Sequence, residues 1–132
     1  MTKQELENLI AEKVMGWEIC RTEYTKEEAW HSDHRFIGVN TKYECAVQDW
    51  QPLTDLNQCF EALIKWKSED ARRCYGISEP CEVGLACCVL NEFHADTSIH
   101  LKGCSTNKSL NAAICLALAE AVTGTKQTLE VE

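Results

Sequence analysis

A short segment in the second half of the chain combines cationic, hydroxyl and amide side chains, namely Lys102, Ser105, Thr106, Asn107 and Lys108. Such side chains can bind an anion where a strand ends and a helix begins, because the first N–H groups of a helix have no partner and carry the positive end of its dipole. The segment therefore predicts a phosphate-binding site. The alternative is that Ser105, Thr106 and Asn107 only cap the helix, which needs no ligand.

Aromatic and basic residues elsewhere extend this prediction to a nucleotide, whose base needs a flat surface and whose phosphates need cations. We take Trp17 and Trp50 as candidate surfaces for the base and Arg35 as a further cation. The alternative for the two tryptophans is a place in the hydrophobic core, since each lies next to a predicted helix boundary.

The sequence contains none of the common catalytic motifs. It has no Gly-rich phosphate loop, no Gly-x-Ser-x-Gly elbow, no His-Glu-x-x-His helix and no Asp-rich metal segment. Cys104 and His100 could form a catalytic pair, but nine cysteines and four histidines produce such pairs by chance. We therefore predict that the protein is not an enzyme and that it has no catalytic residues and no cofactor.

The nine cysteines predict buried, reduced thiols. Their number is odd, and no Cys-x-x-Cys pair of the kind that binds structural zinc occurs. The nearest zinc candidates are His31 with His34 and the adjacent Cys87 and Cys88. The histidines lie in a polar stretch, and neighbouring strand residues point to opposite faces, so we predict no metal site.

Length and charge limit the classes of partner. A chain of 132 residues predicts one domain, which we place at 1–124 and follow with a flexible C-terminal tail at 125–132. A net charge of −8 argues against DNA as a partner, because non-specific DNA binding depends on Lys and Arg. No apolar run is long enough to span a membrane and the N-terminus is unlike a signal peptide, so we expect no membrane partner.

Three helices are predicted, near 3–15, 55–72 and 107–123. Thr2 and Glu5 form a capping box before the first helix, and Thr54 or Asp55 can cap the second. Gly124 is placed to end the third. Because the third helix is apolar on nearly all sides, we expect it to lie in the core or at a subunit interface.

Strands are predicted in the remaining segments. β-Branched and aromatic residues indicate strands at 17–24, 35–39 and 43–47. The segment 81–90 is apolar on both sides, which is typical of a central strand covered on both faces, and 96–103 alternates like a half-exposed strand. The fold class is therefore α/β, a three-layer α/β/α sandwich around a mostly antiparallel sheet of about four to five strands.

Three segments together resemble the phage ABA sandwich domain family, which comprises small proteins of bacteriophages and prophages. They are Ile-Ala-Glu-Lys-Val-Met-Gly-Trp at 10–17, the turn Pro-Leu-Thr-Asp at 52–55 and Ala-Ile-Cys at 113–115. The segment between the first two is longer and more charged than is typical of the family, and a Leu precedes the Thr of the turn. The resemblance implies α/β/α layering and a phage origin, but no shared reaction.

The phage origin leads to an expected function. Some small phage proteins counter bacterial immunity by sequestering nucleotide signals, so we expect a counter-defence protein that binds a cyclic dinucleotide or a cyclic ADP-ribose derivative. We expect it to act in the cytoplasm of the host bacterium as a homo-oligomer, formed through the apolar third helix. One alternative is an accessory protein that binds a host or phage protein. The other is a small nucleotide-cleaving enzyme.

Overall fold

A computed structural model describes residues 1–21, 34–38, 44–46, 49–78 and 84–130. The α-helices are α1 (Lys3–Leu9), α2 (Leu56–Ser68) and α3 (Leu110–Thr123), and a π-helical segment (Ile10–Val14) continues α1. The strands are β1 (Trp17–Arg21), β2 (His34–Gly38), β3 (Glu44–Ala46), β4 (Arg73–Ser78), β5 (Ala86–Phe93) and β6 (Ile99–Asn107). The predicted α/β class is confirmed.

The first helix begins as the sequence predicts. Glu5 N donates to Thr2 Oγ1 at 3.1 Å and Thr2 N donates to Glu5 Oε2 at 2.8 Å, so both partners of the capping box are in place. The second half of the predicted helix is π-helical, and Met15 N donates to Ile10 O, five residues earlier. Gly16 follows in the left-handed conformation, with a φ of 74°, and lets the chain turn into β1.

The described strands form two antiparallel sheets of three strands each, in the orders β1-β2-β3 and β4-β5-β6. The predicted sheet of four to five strands is therefore not confirmed among the described residues. The sequence reasoning assigned no strand to β4, whose short segment contains Gly76. β5 is central in its sheet, as predicted for the segment 81–90, but the expected cover on both faces is not confirmed.

The helix boundaries also need correction. The second helix begins after Asp55, as predicted, but ends at Ser68 rather than near 72. The third helix begins at Leu110 rather than at 107, because Ser105, Thr106 and Asn107 belong to β6. Asn107 is still paired with Ala86 of β5, so the residues at 105–107 extend the strand and do not cap the helix. Ser109 is the N-cap instead.

Helix α3 packs closely on the second sheet. A Cβ atom at Gly103 of β6 would lie 2.1 Å from the carbonyl oxygen of Ala117, so the absence of a side chain permits the contact. The eight residues at 112–119 are all buried within the single chain. The apolar surface of α3 is therefore used inside the chain, which corrects the expectation that this helix forms the oligomer interface.

The described helices surround one hydrophobic core. It contains Leu6, Ile10, Val14, Trp17, Trp50, Leu63, Trp66, Leu90, Ile114 and Leu118, among others. Within the described part of the chain, no helix has both the length and the apolar character that a membrane crossing needs.

Candidate functional site

A cavity of about 390 Å³ lies between β6 and the segment that follows α3, and we refer to it as the tail cavity. This volume is within the range of small-molecule sites. The residues around the tail cavity are Cys104, Ser105, Thr106, Asn107, Leu116, Lys126, Gln127, Thr128 and Leu129. Three of the predicted ligand-binding residues, at 105–107, therefore share one cavity.

The far wall of the tail cavity is held in place at both ends. At the helix end, Gly124 adopts a φ of 74° and its N–H donates to Glu120 O at 2.8 Å, which closes α3. At the other end, the amino group of Met1 donates to Thr128 O at 2.9 Å, and Glu130 N donates to Met1 O at 2.9 Å. The domain limit at 124 and the flexibility of 125–132 stay predictions.

Lys126 supplies the positive charge of the tail cavity. Its Nζ donates to the backbone oxygen of Cys104 at 3.2 Å and lies 4.0 Å from Glu120 Oε2. The lysine side chain is 69% exposed, so its ammonium group can turn toward a ligand without unfolding any element. Sequence reasoning missed this residue, because long-range contacts bring the segment beside β6, among them the bonds of Met1 and the bond from Lys126 to Cys104.

The polar groups at 105–107 differ in what they can offer a ligand. Asn107 Oδ1 accepts from Ser109 N at 3.0 Å, which leaves the Nδ2 amide as the donor on that side chain. Thr106 is exposed and Ser105 is buried. Burial and nearby Cys87 raise the pKa of the Cys104 thiol, so it is a neutral member of the lining.

Lys108 lies at a different cavity. That cavity has a volume of about 440 Å³ and is lined by Ile77, Ser78, Gly84, Leu85, Ala86, Lys108 and Leu110. The structure therefore separates Lys108 from the residues at 105–107. Ser109, whose Oγ accepts from Ala112 N at 3.3 Å to cap α3, stands between Lys108 and Leu110, which both line this second cavity.

Trp17 and Trp50 belong to the hydrophobic core. Their rings meet edge to face, with centroids 4.7 Å apart, and they are 7% and 1% exposed. Trp50 Nε1 donates to the backbone oxygen of Glu7 at 3.0 Å. Neither tryptophan lines the two cavities. This arrangement favours the alternative that the sequence left open, in which both rings fill the core.

Of the two remaining predicted cations, only Lys102 has a described side chain. Lys102 is the extra residue of a β-bulge in β6, where Leu90 pairs with Gly103 and Asn91 pairs with Leu101. Lys102 lines neither cavity. Arg35 is in β2, and its side chain lies outside the described part of the structure.

A second group of polar residues surrounds Glu92, which is only 7% exposed, and we call it the polar cluster. Glu92 Oε1 lies 3.0 Å from His94 Nε2 and 3.5 Å from Arg72 Nη2. Arg72 also binds Asp70 at 2.8 Å, and this hydrogen bond holds the pKa of Asp70 far below its usual value. Arg73 Nη1 donates to Trp66 O at 2.9 Å in the last turn of α2, which suits the helix dipole.

The polar cluster continues into the turn between β5 and β6. The rings of His94 and His100 lie 4.0 Å apart, and His100 Nε2 is 3.1 Å from Ser98 Oγ. Ser98 Oγ donates to Asp96 at 2.5 Å, and hydrogen bonds from Ser98 lower the pKa of that carboxyl. The polar cluster therefore brings two imidazoles together near Arg72.

Among the described residues, no group of three or more His, Cys, Asp or Glu side chains could hold a metal ion. Six of the cysteines are free thiols, at positions 59, 74, 87, 88, 104 and 115. Three of them, Cys59, Cys88 and Cys115, are buried.

Comparison with known proteins gives no relative: no protein-family model, no curated protein and no solved structure matches the chain. The geometry of the site is therefore the basis for assigning a function.

Proposed function

We propose that the chain is a non-catalytic binding protein that sequesters a small nucleotide, with the tail cavity as its site. The observation that supports this most is that Ser105, Thr106 and Asn107 line one cavity together with the exposed cation Lys126. Hydroxyl and amide groups next to an ammonium group match the needs of a phosphate, and cations strengthen such hydrogen bonds. Leu116 and Leu129 offer the base an apolar surface in place of the predicted tryptophans.

The wider setting belongs to the same proposal. The resemblance to the phage ABA sandwich domain family supports a counter-defence role, in which the protein lowers the concentration of a cyclic dinucleotide or a cyclic ADP-ribose derivative in the host cytoplasm. The three-layer α/β/α arrangement and the homo-oligomer are also parts of this proposal.

Calorimetric titration of the full chain with cyclic dinucleotides and cyclic ADP-ribose tests the site. Because Lys126 would contact a phosphate, we expect Lys126→Ala to weaken binding by about tenfold or more. Lys65→Ala is the matched control, since Lys65 is an exposed lysine on α2 that pairs only weakly with Glu69, at 3.8 Å. It makes the same change in net charge, and we expect it to leave the affinity unchanged.

Two results would contradict the proposed site. If none of the ligands produces heat, the alternative of an accessory protein that binds another protein is favoured. If Lys126→Ala and Lys65→Ala weaken binding equally, the effect comes from overall charge and the ligand lies elsewhere.

A second candidate function is nucleotide cleavage, and the contact between His94 and His100 beside Arg72 favours it. One imidazole could act as a general base and the other as a general acid, while the arginine stabilises a phosphate. Chromatography of nucleotides after incubation with the chain tests this candidate. If products form with the original chain but not with His94→Ala, the protein is an enzyme and the proposal of simple sequestration is wrong.

A further inference from the structure

The sheet formed by β4, β5 and β6 has two faces, and α3 packs on only one of them. Gly103, Leu90 and Cys88 lie on the side of α3, which we call the helix face. Because strand residues alternate, the neighbouring positions lie on the other side, which we call the open face. The pairing register assigns to the open face Cys74, Gly76, Ser78, Cys87, Val89, Asn91, Phe93, Ile99, Leu101, Cys104 and Thr106.

The residues that the register assigns to the open face are mostly apolar and uncharged, and Lys102, the extra residue of the bulge, is assigned to neither face. Phe93, Ile99 and Leu101 are 45%, 58% and 60% exposed, and they meet at one end of the sheet, where Phe93 pairs with Ile99. Within the described part of the chain, no helix packs on this face to a comparable extent. Antiparallel sheets with one solvated face normally show polar residues there, so this face has the composition of a buried surface.

We infer that the open face binds the open face of a second copy of this chain, which gives a dimer of two sheets packed face to face. The dimer would be the homo-oligomer of the proposed function, with its contact surface specified. Its formation requires no nucleotide. The net charge of −8 opposes association through any face on which carboxylates would meet, because like charges repel. The open face contains no carboxylate, so the copies can meet there without burying like charges.

The distribution of side-chain size along the open face suits a second copy. Phe93, Ile99 and Leu101 form a large end, whereas Gly76, Ser78 and Thr106 lie toward the opposite end. A two-fold axis between the sheets, running across the strands, would place the large end of each copy over the small end of the other. Such a contact is isologous, and it would bring the sheets to about 10 Å from each other.

The size of the open face sets the strength of this dimer. Three strands spaced about 4.8 Å apart, with eight residues in β5 rising about 3.4 Å each, give roughly 14 Å by 27 Å. Because the side chains make each surface uneven, two copies would bury more than the flat area, about 1,000 Å² in total. This area is at the lower limit for a specific interface. We therefore expect a weak dimer with a Kd on the order of 10 to 100 μM.

Sedimentation of the full chain without nucleotide, in reducing buffer and from about 1 μM to 1 mM, tests the inference across this range. We expect the mass to rise from the 14.9 kDa monomer toward twice that value. The double variant Ile99→Thr/Leu101→Thr should raise the Kd by about tenfold or more, since it removes apolar area from the interface. Ile64→Thr is the control, because Ile64 is also 56% exposed but lies on α2.

A second variant, Ser78→Phe, tests the same face from its small end. The bulky ring would prevent the large end of the other copy from packing, and we expect about a tenfold increase in Kd or more. A chain that stays monomeric up to 1 mM overturns the inference. A dimer that neither Ser78→Phe nor the double variant weakens also overturns it, as does one that Ile64→Thr weakens equally. Calorimetry with nucleotides is a separate measurement, so either proposal can fail alone.

Discussion

The helix face and the open face of the second sheet are built from the same three strands, yet their surroundings differ. On the helix face, Cys88 and Leu90 are completely buried and Gly103 lets α3 approach the backbone. On the open face, Leu101 is 60% exposed, although it is as apolar as Leu90. Apolar alternation in a strand therefore predicts which residues are suited to burial, but not whether the same chain buries them.

The largest expected difference between the faces is in the free energy of unfolding that is lost when a leucine is replaced by alanine. Leu90→Ala leaves a cavity in the core, and we expect it to lower the free energy of unfolding by about 3 to 4 kcal/mol. Leu101→Ala removes a side chain that is mostly in water, and we expect a loss of less than about 1 kcal/mol. Urea unfolding at about 1 μM, well below the Kd that we propose for the dimer, measures both. Equal losses would show that the two faces are packed alike.

The two faces should also differ in how much stability is lost when a glycine is replaced by alanine. The Cβ of Gly103→Ala would meet the backbone of Ala117 at 2.1 Å, so α3 must shift, and we expect a loss of about 2 to 3 kcal/mol. Gly76→Ala is the control, because a Cβ there meets no atom within 4 Å. We expect this control to be neutral or slightly stabilising, since alanine lowers the conformational entropy of the unfolded chain. Thermal unfolding compares the two, and an unchanged Gly103→Ala would disprove the close contact.

A smaller loss of stability is expected at alkaline pH, from the thiol of Cys88 on the helix face. Burial raises the pKa of Cys88 to about 12, whereas a thiol in the unfolded chain ionises near pH 8.5. Above that pH the unfolded chain loses a proton that the folded chain keeps, so stability falls as pH rises toward the folded pKa. We expect a loss of about 1 to 2 kcal/mol between pH 7 and pH 10 from this thiol.

Unfolding of the original chain and of Cys88→Ala at both pH values measures this effect. The variant starts from a lower stability at pH 7 but should lose less of it on the way to pH 10. An identical pH dependence in the two proteins would show that Cys88 does not control this behaviour.

The parts of the fold that local chemistry determines were predictable from the sequence. Thr2 with Glu5, Asp55 and Gly124 fix helix ends through bonds to residues a few positions away, and all four act as predicted. The predicted start of α3 was wrong, because Ser105, Thr106 and Asn107 are compatible with a helix cap as well as with a strand. Only the pairing of β6 with β5, which is a long-range contact, decides between them.

The candidate site was predictable only in part, for the same reason. The hydroxyl and amide groups of the tail cavity are adjacent in the sequence, so their composition indicated an anion site before the fold was known. Lys126 is more than 120 residues from Met1, whose bonds to Thr128 and Glu130 hold the cavity wall. No local pattern reveals that contact, and the core positions of Trp17 and Trp50 depend equally on the packing of distant elements.

The most direct test of the proposed function is to identify what the protein carries in cells. The chain and its Lys126→Ala variant would be purified from bacteria in which a nucleotide-signalling defence system is active, then denatured, and the released small molecules would be analysed by mass spectrometry. The proposal predicts an intact cyclic nucleotide from the original chain and much less from the variant. Release of no nucleotide, or of cleaved products alone, would contradict it.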